Sequence, residues 1–103
     1  MLSAAFGLTL AVTASAGMQS AVADQALAQA NNCMACHTVD KKLVGPAFTE
    51  IAAKYKDDAG ARETLIGKVK QGGGGNWGAI PMPPNPAASD EDIATLVDWI
   101  LSQ

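Results

Sequence analysis

Apolar residues recur at helical spacing through most of the chain, and the clearest example closes the sequence. After Ser89, five apolar residues share one face of a predicted helix: Ile93, Leu96, Val97, Ile100 and Leu101. Ser89 is a typical N-cap, and the acidic residues at 90–92 favour the positive end of this helix. Trp99 lies at the flank of the stripe and is predicted to pack in the core.

Two helices are predicted in the middle of the chain. One follows Gly45-Pro46, since proline is tolerated at the first position of a helix. Its apolar residues are spaced i, i+3, i+4 and i+7: Phe48, Ile51, Ala52 and Tyr55. The other covers about residues 60–71, and Gly72 is placed to end it. Its inward-facing residues are Ala61, Leu65, Ile66 and Val69.

A shorter helix is predicted over residues 24–32, with Leu27 and Ala30 on one face. Four consecutive glycines at 72–75 predict a permissive bend leading into Trp77. They do not predict a phosphate-binding loop, because no strand precedes them and the G-x-G-x-x-G order is absent. Since no segment has a convincing strand pattern, the sequence predicts an all-α fold of about four helices.

The first 23 residues contain no charged side chain and predict a secretion signal. An apolar stretch at 4–14 is followed by a small-x-small cleavage pattern at 21–23, immediately before Asp24. The apolar stretch is too short for a membrane span of about 20 residues. The usual basic start is missing, since no Lys or Arg precedes Lys41, and an uncleaved N-terminal anchor is the alternative. We expect the remaining residues, 24–103, to form one small monomeric domain.

Charge and size narrow the class of protein. Seven basic and ten acidic residues give a formal net charge of −3, which argues against a nucleic-acid partner. A core built from residues 24–103 is marginal without a staple such as a metal, a disulfide or a cofactor. The sequence therefore predicts that something besides its own side chains completes the core.

The chain's two cysteines and its one histidine lie together, as Cys33, Cys36 and His37 in the pattern C-x-x-C-H. This spacing is typical of c-type haem attachment. Two thiols add across the porphyrin vinyl groups, and the adjacent imidazole is held under the iron as an axial ligand. A large, flat, covalently held cofactor would also supply the missing centre of the core.

Two other interpretations of the motif remain. A C-x-x-C pair also occurs in thiol-disulfide enzymes of the thioredoxin type, but no alternating strand-helix pattern surrounds this one. A structural zinc site needs about four ligands, whereas here three lie together with no further Cys or His in the chain.

Methionine is the soft donor available for the sixth iron position. Of the four methionines, Met1 and Met18 lie in the predicted signal, and Met34 lies between the two cysteines, too constrained to reach the opposite side of a haem. Met82 remains, flanked by prolines that fix φ and remove backbone donors. The sequence predicts that Met82 is the second axial ligand, with core filling as the alternative role.

The chain resembles a small bacterial class I cytochrome c, of the cytochrome c-551 (c8) group. The matching segments are C-x-x-C-H at 33–37, V-G-P-A at 44–47, W-G-A-I-P-M-P-P-N at 77–85 and W-I-L-S-Q at 99–103. The third is far more specific than the first, which all c-type cytochromes share. The resemblance covers essentially everything from Asp24 onward. The chain departs from the pattern at residues 86–88, where the link to the last helix is a residue longer.

This resemblance implies further site residues. The carbonyl of Pro46 would accept a hydrogen bond from the axial histidine's other ring nitrogen. The indole of Trp77 would donate to a haem propionate, with Lys68 as a basic residue near the propionates. The amide of Asn85 would steady the methionine sulfur. The alternative for Trp77 is plain core packing. The alternative for Lys68 is a solvated surface lysine, and the alternative for Asn85 is a turn residue.

The implied fold is a small class I cytochrome c fold, with about four helices wrapped around one haem attached through Cys33 and Cys36. The implied function is a periplasmic one-electron carrier rather than an enzyme, because both axial positions of the iron are filled. Its partners would be redox proteins, such as a terminal reductase or oxidase and a cupredoxin or bc1-type donor. The alternatives are a haem-based ligand sensor or peroxidase-like enzyme with a displaceable methionine, and a haem-free thiol-disulfide enzyme.

Overall fold

The computed structural model describes Gly7 and residues 20–103, and these residues form four α-helices. They are α1 (Ser20–Ala30), α2 (Phe48–Lys54), α3 (Ala61–Gln71) and α4 (Asp90–Leu101). The described residues contain no strand, and their one β-like feature is an isolated antiparallel bridge between Gly73 and Met82. The all-α prediction is confirmed. Most of the predicted signal lies outside the described residues.

α1 begins at Ser20, earlier than the predicted start at Asp24, and so runs through the predicted cleavage pattern. Alanines at 21 and 23 favour helix, and no proline or glycine stops the helix before Asp24. The helix ends at Ala30, and Asn32 adopts a left-handed conformation with φ of 62°. A short 3-10 turn, Cys33–Ala35, follows directly.

α2 begins at Phe48, two residues after Pro46, so the proline lies before the helix rather than at its first position. Ala47 is the N-cap, in an extended conformation with φ of −61° and ψ of 148°. Backbone partners hold the helix start: the N–H of Phe48 donates to the carbonyl of Thr38 at 3.0 Å, and that of Thr49 to Val39 at 3.0 Å. The segment after His37 therefore pairs with the first turn of α2.

α4 is the central helix and packs against α1, α2 and α3. Its predicted cap is present, since the Ser89 hydroxyl accepts a hydrogen bond from the Asp92 N–H at 3.1 Å. Its buried residues are Ile93, Leu96, Val97, Trp99 and Ile100. Trp99 packs edge-on against Phe48, with ring centroids 5.3 Å apart. The predicted packing role of Trp99 is thus confirmed.

Two ion pairs join α3 to α4 on the surface. Arg62 Nε lies 2.8 Å from Asp98 Oδ1, and Lys70 Nζ lies 2.7 Å from Asp90 Oδ1. The Asp98 carboxylate raises the pKa of Arg62 by hydrogen bonding and by charge. Exposed pairs of this kind contribute little to the stability of a fold, because solvent screens the charges. The two pairs orient the helices more than they stabilise them.

Candidate haem site

A cleft with about 1010 Å³ of empty space, including a part open to solvent, lies between the C-x-x-C-H segment and the loop around Met82. The side chains of α2, α3 and α4 that line it are mostly apolar: Phe48, Ile51, Leu65, Val69, Val97 and Ile100. Cys33, Cys36, His37 and Met82 line the same cleft.

The cysteine segment forms a single tight turn. The carbonyl of Cys33 accepts hydrogen bonds from the N–H of His37 at 3.0 Å and of Cys36 at 3.3 Å. Both thiols are free and partly exposed. Burial raises the pKa of the Cys33 thiol, and a backbone hydrogen bond lowers it by less. Thiol-disulfide enzymes use a lowered cysteine pKa, which is the opposite of the direction at Cys33.

His37 is oriented by one hydrogen bond and one ring contact. Its Nδ1 lies 2.7 Å from the carbonyl oxygen of Pro46. A carbonyl can only accept, so Nδ1 carries the proton and Nε2 keeps a lone pair free for a metal. The ring stacks on Phe48 with centroids 5.2 Å apart and an interplanar angle of 23°. The sequence predicted Phe48 only as a core residue, because the spacing of residues along the chain does not show which aromatic ring it will contact.

Gly45 lies against the His37 imidazole. A Cβ at this position would fall 2.5 Å from Cε1 and 2.9 Å from Nδ1 of that ring, which no packed side chain tolerates. The N–H of Gly45 also donates to the carbonyl of Cys36 at 2.7 Å. Sequence reasoning missed this role, although a glycine directly before Pro46 was visible as part of the V-G-P-A segment.

The glycine run holds the Met82 segment by its backbone. Gly73 donates its N–H to the Met82 carbonyl at 3.0 Å and accepts the Met82 N–H at 2.8 Å. Gly72 has φ of 73°, and a Cβ there would lie 2.5 Å from the Met82 carbonyl oxygen. The predicted bend is therefore also a backbone cradle for Met82, which the sequence pattern did not indicate.

Pro46, Trp77 and Lys68 line the cleft, and Trp77 is 40% exposed at its edge. Asn85 does not line the main cleft but lines an adjoining pocket, which it shares with Cys33, Cys36, His37 and Met82. Its Nδ2 donates to the carbonyl of Asn31 at 2.9 Å, and its N–H donates to the carbonyl of Val69 at 3.0 Å. Within the described part of the chain, no hydrogen bond joins the Asn85 amide to the methionine sulfur.

The observed donors suit a haem. An imidazole with its second nitrogen already bound to a carbonyl, a thioether and two free thiols line one cleft whose other walls are mostly apolar. Haem iron takes His and Met as axial ligands in cytochromes c. Among the described residues no group of three or more His, Cys, Asp or Glu side chains could hold a metal ion by itself.

Comparison with known proteins agrees with this chemistry. The family model described as Cytochrome c matches residues 21–103. The chain is 50% identical over 92 residues to cytochrome c-551 of Allochromatium vinosum, covering 89% of this chain and 98% of the relative. It is 56% identical over 82 residues to cytochrome c-552 of Nitrosomonas europaea, covering 80% of each.

A solved structure extends the likeness to the fold. The crystal structure of wild-type Nitrosomonas europaea cytochrome c552 superposes with a TM-score of 0.74 at 55% identity, covering 76% of this chain and 96% of that one. The chain therefore belongs to the cytochrome c family, as a small electron carrier with the class I fold and covalently attached c-type haem rather than an enzyme.

Proposed function

We propose that the chain is a periplasmic one-electron carrier with His37 and Met82 as axial iron ligands and thioether bonds through Cys33 and Cys36. The observation that carries this proposal is the meeting of these four side chains on one apolar cleft. Bound haem supplies the one-electron chemistry, and a methionine ligand favours the ferrous state and raises the reduction potential.

In this proposal the protein holds both axial ligands firmly. The Pro46 carbonyl fixes the His37 ring and raises the basicity of Nε2, while the two hydrogen bonds to Gly73 hold the Met82 backbone. With His37 and Met82 as its ligands, a bound haem iron would have no open position for oxygen or substrate. Such a site is suited to electron transfer rather than to ligand sensing or peroxidase chemistry.

The remaining predicted residues act at the edges of the cofactor. We assign Trp77 and Lys68 to the propionates, because both line the cleft and both carry N–H donors. Asn85 is assigned to anchoring the Met82 loop, because its amide and its backbone N–H bind the ends of α1 and α3. The direct support of the methionine sulfur that the family resemblance implied stays a prediction.

We further propose a signal at residues 1–23 and a mature monohaem domain at 24–103, which acts as a monomer. Within the described residues, no helix has both the length and the apolar character that crossing a membrane requires. The redox partners would be a terminal reductase or oxidase as acceptor and a cupredoxin or bc1-type protein as donor. Cell fractionation and the mass of the purified holoprotein check location and cleavage, and recovery with the cytosol would contradict the proposal.

Replacement of Met82 by Ala tests the ligand assignment. The wild-type holoprotein should show a low-spin c-type spectrum with the weak red band of methionine-ligated ferric haem. The variant should lose that band and bind cyanide or CO rapidly, because the sixth position is open. Met34→Ala is the matched control and should keep the wild-type spectrum. A Met82→Ala protein with an unchanged low-spin spectrum and no gain in ligand access would contradict the assignment.

A further inference from the structure

Lys54, the last residue of α2, crosses to the loop that follows the glycine run. Its Nζ lies 4.5 Å from the centroid of the Trp77 ring and 3.4 Å from the carbonyl oxygen of Asn76. The same ammonium lies 5.7 Å from the centroid of the Tyr55 ring. One exposed lysine therefore connects α2 to residues that are 22 and 23 positions further along the chain.

The loop around Trp77 has little else to fix it. Trp77 is 40% exposed, so packing covers only part of its ring. It follows four glycines, of which Gly75 has φ of 95° and open space where a Cβ would be. A cation within about 6 Å of an indole centroid contributes about 0.5–1 kcal/mol at an exposed site. That is enough to bias the orientation of an otherwise loosely held side chain.

Lys54 lies behind the wall of the cleft rather than in it. Tyr55, Asn76 and Trp77 line the cleft, whereas Lys54 is not part of the lining. Its ammonium lies near the rings of Tyr55 and Trp77 and near the carbonyl oxygen of Asn76. Any influence of Lys54 on a bound cofactor therefore passes through the residues that it holds, above all Trp77.

We propose that Lys54 is a positioning residue that holds the Trp77 indole at the edge of the haem cleft. The proposal rests on the haem site described under Proposed function. It adds that Lys54 sets the orientation of the Trp77 indole N–H and thereby its availability to a propionate. Lys54 does so without itself touching the cofactor.

Hydrogen exchange of the Trp77 indole N–H, measured by NMR in the ferrous holoprotein, tests this. Lys54→Met keeps the length of the side chain without its charge and should speed exchange about two- to fivefold, the factor that corresponds to about 0.5–1 kcal/mol. Lys54→Arg should restore the wild-type rate, because guanidinium also binds aromatic rings. Lys56→Met, which removes an exposed lysine without an aromatic contact, is the matched control and should leave the rate unchanged.

The Trp99 indole in each sample is an internal reference, because it is buried in the core. Removing a positive charge by itself slows base-catalysed exchange, so faster exchange in Lys54→Met cannot be a simple charge effect. An unchanged or slower rate in Lys54→Met, in a protein with a normal low-spin spectrum, would overturn the positioning role and leave the haem site intact. Absence of that spectrum in the wild type would instead overturn the proposed function.

Discussion

At Gly45 the packing of the neighbouring imidazole requires a residue that has no side chain. The His37 ring occupies the space that a Cβ would need, and its Nδ1 is committed to the carbonyl of the next residue, Pro46. Phe48 covers another side of the imidazole. The ring is thus held by backbone contacts on one side and an aromatic ring on another, and small changes here reach the proposed iron ligand directly.

Replacing Gly45 by Ala should destabilise the holoprotein by about 1–3 kcal/mol, the usual cost of overpacking. The cost arises because either the imidazole or the 44–46 backbone must move. Denaturant unfolding followed by the haem absorbance measures it. Gly67→Ala is the matched control: it lies within α3, with open space at the Cβ position, and should be neutral or stabilising by up to about 1 kcal/mol. Equal stability of Gly45→Ala and wild type would show that the clash is relieved without cost.

The helices are short and share a small core. α2 has seven residues and α1 and α3 have eleven each, whereas isolated helices below about 12–15 residues are marginal in water. The largest fully buried side chains are Phe48, Ile93, Leu96 and Val97. The cleft lies between the Met82 loop and α2. The apolar side chains that line it therefore have no packing partner across the cleft from the helices alone.

Removal of both Cys33 and Cys36 should therefore leave a chain that does not fold by itself. Circular dichroism of the haem-free double Ala variant should show largely disordered chain, since a domain of this size is marginal without a staple. The wild-type holoprotein, in the same buffer, provides the helical reference. A haem-free form with native helicity and a cooperative melting transition would contradict the expectation.

At the scale of the molecule, the large hydrophobic side chains that are exposed among the described residues gather around the mouth of the cleft. Val44, Trp77 and Ile80 line the cleft and are 48%, 40% and 69% exposed, and Leu43 next to them is 53% exposed. Three of the ten acidic residues lie together at the start of α4, outside the cleft lining. We expect electrons to leave through this apolar surface, since brief contacts with a partner need a small interface and fast release.

The rate of electron transfer to a natural partner should then depend weakly on salt, because charge-steered association falls steeply with ionic strength. Stopped-flow measurements from low to high salt test this. Val44→Asp and Ile80→Asp should slow transfer at constant reduction potential. Ala53→Asp, which adds the same charge at an exposed position of α2 outside the cleft lining, should not. A fall of more than about tenfold with salt in the wild type would mean that charged surfaces direct docking.

The sequence by itself determined the features that depend on local patterns. Helical spacing and the Ser89 cap are properties of neighbouring residues, so α3 and α4 were predicted close to their observed bounds. The C-x-x-C-H motif predicted a c-type haem as the cofactor, because its two cysteines and its histidine lie within five residues of one another. Pro46 showed the limit of local rules: proline is tolerated at the first position of a helix, but here its carbonyl is bound to His37 and the helix begins only at Phe48.

Only the tertiary structure decided how the separate segments hold the site. The bridge between Gly73 and Met82 and the contact of Lys54 with Trp77 join residues that are not neighbours in the chain. The Asn85 amide likewise binds Asn31 across 54 positions. No periodicity or motif encodes such pairs, because each depends on the path of a loop after the helices have packed around the cleft. The identities of the candidate ligands are therefore local information, whereas their orientation is a property of the folded chain.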